Sequence, residues 1–172
     1  MRNGDKNNFS WDDGGRKTTI GKLLSNQLAF NFIDLDRKIE EKSGVKINTI
    51  FEIEGEEGFR EREYLALNEA LAEEKVIIST GGGVVVKDIN RSLIQKSEAM
   101  VVYLKASLDI LLGRLKNDKT RPMLDKDNKQ LSLQKLLSER EPFYENLADF
   151  IIDTSDLKTN DVLKTITEKM ES

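Results

Sequence analysis

The chain has 172 residues, 38% hydrophobic and 34% charged, with a formal net charge of −4. That length suits one soluble domain with a sizeable core, and the acidic balance argues against a general nucleic-acid binder. There is no cysteine and no histidine, which excludes disulfides, thiolate metal sites and the commonest general base, so any chemistry falls to carboxylates, Lys, Arg and backbone.

Residues 1–16 are rich in Asn, Asp and Gly, with Phe9 and Trp11 as large apolar groups. No apolar leader or membrane-length run is visible, so no membrane partner and a cytoplasmic location are expected. The stretch reads as loop or disorder, because a buried parallel strand calls for a near-continuous Val/Ile/Leu run. From Thr18 or Thr19 to about Leu28 a helix is expected, with Ile20, Leu23, Leu24 and Leu28 on one face. Phe30–Asp34 reads as a short strand, and Asp36–Lys42 as a short helix stopped near Gly44. Ile47–Glu54 is a further apolar element with Gly55 as its C-cap, and Glu56 to about Glu74 a longer helix.

Val76–Thr80 is a strand running into Gly81, Gly82 and Gly83, and Met100–Leu104 is the next. A helix follows with Ser107 as N-cap and Leu108, Leu111, Leu112 and Leu115 on one face. The polar stretch 116–130 is long enough for a lid. Leu131 to about Leu147 is helical but interrupted by Pro142, Phe150–Asp153 is a last strand, and Asp161–Met170 closes the chain as a helix. Alternating strands and helices imply an α/β protein, a parallel sheet with helices on both faces in three layers.

Trp11 to Thr18 lies where an α/β kinase carries its phosphate loop, G-x-x-x-x-G-K-[ST], whose amides wrap phosphate. Lys17 and Thr18 fit, but the two glycine positions hold Trp11 and Arg16, and Asp12 and Asp13 bring negative charge. Asp34 and Asp36 stand just past a strand end, where one could serve Mg²⁺ and the other a substrate hydroxyl, or the second could simply cap the next helix. Arg60 could grip a carboxylate with Glu63 orienting it, or the two could be an ordinary i,i+3 pair. Three glycines at 81–83 allow close backbone approach to a ligand, or form a plain turn. Arg121 and Arg140 could surround a transferring phosphoryl group, or be solvated surface cations.

Taken together, FxDxD, IFxxxGExxFRxxE, TGGGVV, RPML and REPFYxxLADFxIDT, running from Phe32 to Thr154, closely resemble shikimate kinase, with Lys17-Thr18-Thr19-Ile20-Gly21 upstream. The resemblance implies a P-loop fold like that of nucleoside monophosphate kinases, a monomer, and transfer of the ATP γ-phosphoryl group to the 3-hydroxyl of shikimate with Mg²⁺. It implies that Asp36, Arg60, Arg140 and the Gly81–Gly83 backbone bind shikimate, that Phe51 and Phe59 line the pocket, and that Glu63 supports Arg60. On the nucleotide side it implies Gly14, Gly15, Lys17, Thr18 and Thr19, with Asp34 and Thr18 at the metal. Arg114 would pack against adenine and Arg121 close over the phosphates.

The first strand and loop, residues about 4–16, depart from that family. A like-charge pair ~5 Å apart at an effective dielectric of ~20 repels by roughly 3 kcal/mol, which weakens nucleotide binding about a hundredfold. The first strand is therefore in doubt, and the expectation is a retained shikimate site with ATP binding and phosphoryl transfer lost or severely reduced. The alternatives are an active shikimate kinase using another loop geometry, a non-catalytic shikimate-binding protein, and an alteration of residues 4–16 foreign to the natural chain.

Overall fold

The computed structural model describes residues 8–12, 17–115 and 129–171. Five strands, β1 (Asn8–Asp12), β2 (Asn31–Asp34), β3 (Val76–Thr80), β4 (Met100–Lys105) and β5 (Phe150–Asp153), form a parallel sheet in the order β2-β3-β1-β4-β5. Seven helices connect and cover them among the described residues: α1 (Lys17–Leu28), α2 (Leu35–Ser43), α3 (Ile47–Ala72), α4 (Asp88–Lys96), α5 (Leu108–Leu115), α6 (Lys129–Leu147) and α7 (Thr159–Glu171).

The first strand corrects the reading of residues 1–16 as loop or disorder. Asn8, Phe9, Ser10 and Trp11 pair with Ile77 to Thr80 of β3 on one edge, and Asn8 to Asp12 pair with Met100 to Leu104 of β4 on the other. A side-chain pattern could not show this, because the ladder is made by backbone. β3 and β4 each present a row of N–H and C=O groups that must be satisfied inside the protein, and tertiary pairing of that kind overrides weak strand propensity. Residues 1–7 and 13–16 lie outside the described residues.

The sheet separates two cores by the alternation of its side chains. Val76 and Ile78 of β3 and Val101 and Tyr103 of β4 face α2, α3, α4 and α6, packing with Leu35, Ile39, Leu67, Ile94 and Tyr144. Ile77, Met100, Val102 and Leu104 point the other way, onto Ile20 and Leu24 of α1 and Val162 and Ile166 of α7. A buried side chain of this size contributes roughly 1.5–3 kcal/mol, so the three expected layers rest on both faces of β3 and β4.

Three helical details matter for the site. α2 begins at Leu35, one residue before the expected start, and stops at Gly44 as expected. Gly55 ends the first helical segment of α3, as expected: its φ of 70° and ψ of −171° are not helical, so Ile47–Ala72 is two helical segments joined at a kink, in a conformation that side chains with a Cβ resist. Arg62 reaches back across that bend to both carboxylate oxygens of Glu54, at 2.9 and 2.7 Å. α6 is continuous through Pro142, contrary to the expected interruption, because a proline removes one internal hydrogen bond and the flanking packing of Tyr144 and Leu147 holds the helix together. The expected lid, 116–130, falls outside the described residues apart from the start of α6.

Candidate functional site

In an open parallel sheet, ligands bind beyond the carboxyl ends of the strands. Here the ends of β2 and β3 gather most of the expected residues. At the end of β2, Asp34 uses both oxygens. Its Oδ1 accepts the backbone N–H of Arg37 at 3.2 Å and so caps α2, while its Oδ2 accepts the Thr18 hydroxyl at 2.9 Å. The capping acid is thus Asp34, not Asp36 as the plain reading had it, and Asp36 sits in the first turn of α2. Lys17, only 7% exposed, donates from Nζ to the carbonyl of Thr80 at 2.8 Å, tying the start of α1 to the end of β3.

Asp36 faces the glycine turn. A Cβ placed on Gly81 would lie 3.4 Å from both of its carboxylate oxygens. On the other side of the turn, a Cβ on Gly83 would lie 2.6 and 2.7 Å from the two terminal nitrogens of Arg60. Arg60 is buried and held, so it cannot yield that space cheaply. Its Nη1 donates to Glu63 Oε2 at 2.8 Å, its Nε and Nη2 both donate to Glu56 Oε1 at 3.3 Å, and its guanidinium lies 5.2 Å from the Phe59 ring centre. Phe59 stacks on Phe51 with centroids 4.7 Å apart.

Glu63 is the most constrained acid of the group. Burial pushes its pKa up, the charge of Asp36 adds to that, and Arg60 and Arg140 work against it. Arg140 is therefore electrostatically part of the cluster. The turn itself, a 3-10 segment over Gly82–Val85, is fixed from behind. The Tyr144 hydroxyl donates to the Gly82 carbonyl, Asn90 Nδ2 donates to the Val84 carbonyl at 3.0 Å, and Arg91 Nη1 donates to the carbonyls of Val85 and Val86. Asn90 also reaches Glu63 Oε2 at 3.4 Å. Arg91 lies over the Phe143 ring at 4.1 Å, which couples α4 to α6.

Asp36, Phe51, Phe59, Arg60, Glu63, the three glycines and Arg140 are thus brought together, as are Lys17, Thr18 and Asp34. Thr19 is exposed on α1 and Arg114 lies on α5. Gly14, Gly15 and Arg121 lie outside the described residues. Sequence reasoning missed α4 and, with it, Asn90 and Arg91. The signal was modest: Asp88 in a first turn, Ile94 on the inner face and Lys96 in the last turn.

The paired oxygens of Thr18 and Asp34 fit Mg²⁺, a hard cation that takes one or two protein oxygens and keeps water and phosphate as its other ligands. No group of three or more acidic side chains competes for that role among the described residues. At positions 11 and 16, where a phosphate loop carries glycine, the sequence has Trp11 and Arg16.

The family model described as shikimate kinase matches residues 13–171. The chain is 44% identical over 154 residues to the shikimate kinase of Francisella tularensis subsp. holarctica, covering 89% of this chain and 87% of that one. Among solved structures, it is similar to shikimate kinase from Acinetobacter baumannii in complex with shikimate, with 35% identity and a TM-score of 0.91 over 96% of this chain and 93% of that one. It is also similar to shikimate kinase from Aquifex aeolicus, at 30% identity and a TM-score of 0.80 over 96% and 95% of the two chains.

Proposed function

The chain belongs to the shikimate kinase family, and on that premise we propose that it holds shikimate as its acceptor while its altered phosphate loop leaves ATP binding and phosphoryl transfer severely reduced. The observation that carries the acceptor half is the enclosure of the glycine turn between Asp36 and the buried Arg60–Glu63 pair. In this reading Arg60 and Arg140 take the substrate carboxylate, Asp36 accepts the proton of the attacking hydroxyl, and Phe51 and Phe59 line the ring. Glu63 keeps the Arg60 fork oriented. A buried, pre-oriented guanidinium suits a planar carboxylate, because two parallel N–H donors match its two oxygens.

On the donor side Thr18 and Asp34 would hold Mg²⁺ and Lys17 would meet phosphate, with Arg114 and Arg121 on the nucleotide. Bound Mg²⁺ supplies charge neutralisation to the phosphoryl oxygens. The defect lies upstream of these groups. Arg16 stands where glycine lets backbone meet phosphate, and Asp12 and Asp13 add charge of the wrong sign. The protein acts as a soluble cytoplasmic monomer, in one domain, without nucleic-acid or membrane partners.

Titration calorimetry with shikimate should give saturable binding, and a coupled ATP/shikimate assay should turn over well below about 1 s⁻¹, the low end of ordinary kinase rates. Turnover at or above that rate would overturn the donor half. A fully active kinase is the second reading, favoured by the central position of β1 and the Thr18–Asp34 contact. It requires micromolar binding of Mg²⁺-ATP, measurable by the same instrument.

A further inference from the structure

Arg60 meets two acids that differ in every physical respect. Glu63 lies one turn on in α3, is 2% exposed, and takes Nη1 at 2.8 Å. Glu56 has a side chain 51% exposed and places one oxygen 3.3 Å from both Nε and Nη2. Those two nitrogens form one edge of the guanidinium, the edge that can present two parallel N–H bonds to one carboxylate. The Nη1 side is committed to Glu63, the terminal nitrogens lie over Gly83 and the ring of Phe59 lies alongside. The edge held by Glu56 is therefore the one left for an incoming anion.

We propose that Glu56 is a removable stand-in for the substrate carboxylate, occupying the Nε–Nη2 edge of Arg60 until shikimate displaces it, and so setting the affinity of the acceptor site. The inference rests on the reading of the site as a shikimate site. Charge counting supports displacement. Glu56 and Glu63 both pair with Arg60, and the charges of Asp36 and Arg140 both act on Glu63, three acids to two cations, so a further carboxylate enters most easily if one acid leaves. Glu63 is buried and cannot leave without exposing its own partners. Glu56 follows Gly55 directly, at the bend of α3, and half of its side chain already meets water.

The test is shikimate titration of the full chain by calorimetry, with wild type beside Glu56→Gln, Glu56→Asp and Glu57→Gln. Both Glu56 variants should bind shikimate roughly two- to fivefold more tightly, the equilibrium equivalent of a partly exposed ion pair. Glu56→Asp keeps the charge and only loses the reach, so it separates displacement of the contact from general removal of negative charge. Glu57, a neighbouring acid 3.7 Å from Lys87 and far more exposed, is the second control, and its variant should bind as wild type does. Wild type that fails to bind shikimate sinks the reading of the site itself. Wild type that binds, with Glu56 variants equal or weaker, or with Glu57→Gln tightened as much as Glu56→Gln, overturns the stand-in and leaves the site reading intact.

Discussion

Gly83 shows how a single missing carbon can organise a site. The space its Cβ would take is filled by the terminal nitrogens of Arg60 at 2.6 and 2.7 Å, and Arg60 is held there by Glu63. Gly83→Ala should weaken shikimate binding at least about tenfold, because a displaced Arg60 loses a charge-assisted pair worth roughly 1.5–3 kcal/mol. Calorimetry would read it, and near-wild-type affinity would refute the packing argument. Glu63 supplies the pH-dependent counterpart. Its pKa is raised, mainly by burial, above an ordinary value of 4.5. In the folded protein it therefore holds its proton to higher pH than in the unfolded chain. That contribution to stability is complete below the ordinary value and is lost as pH climbs through the raised one. Thermal melts at pH values rising from below the ordinary 4.5 should show wild type losing ground to Glu63→Gln as pH rises; a gap that stays constant would contradict the raised pKa. Arg60 and Glu63 were legible as a motif at this scale. The clash over Gly83 was not, because it joins residues from two elements whose approach no local pattern records.

At the scale of elements, the bend at Gly55 and the unheralded helix α4 carry the site. Gly55→Ala should cost about 1–3 kcal/mol of stability, the usual range for a residue forced into a backbone region that only glycine enters freely, measurable by urea denaturation. Asn90→Leu should cost about 1–3 kcal/mol, since it strips the buried Val84 carbonyl of its donor and removes a neighbour of Glu63. A neutral outcome there would show that the turn holds without α4. The strands β2 to β5 were readable from their apolar runs, and α1, α2 and α3 from their caps and spacing. α4 was hidden by its short, polar sequence, and the continuity of α6 by a proline whose lost hydrogen bond is outweighed by packing.

Across the whole molecule, β1 is the hinge between what was legible and what was not. It joins the β2–β3 pair to the β4–β5 pair, yet it has no strand signature of its own, since its central place is imposed by the two edges beside it. The proposed donor defect belongs to this scale too, because the candidate phosphate loop follows β1 in the chain. Replacing Trp11 and Arg16 by glycine and Asp13 by serine together should raise ATP-dependent turnover at least about tenfold, by restoring close backbone approach and removing one like charge. No gain would mean that the loop is not what limits the reaction.

The position of β1 also orders events during synthesis. It leaves the ribosome before both of its partners, which begin only at Ile77 and Met100. At ordinary translation speeds, roughly five to twenty seconds pass before the second of them exists. For that interval the segment waits alone, and a strand built of valine and isoleucine would be a ready seed for aggregation. Asn8, Ser10 and Asp12 make it a poorer one, so the composition that conceals this strand from a reader of the sequence also lowers its tendency to pair with other chains while it waits.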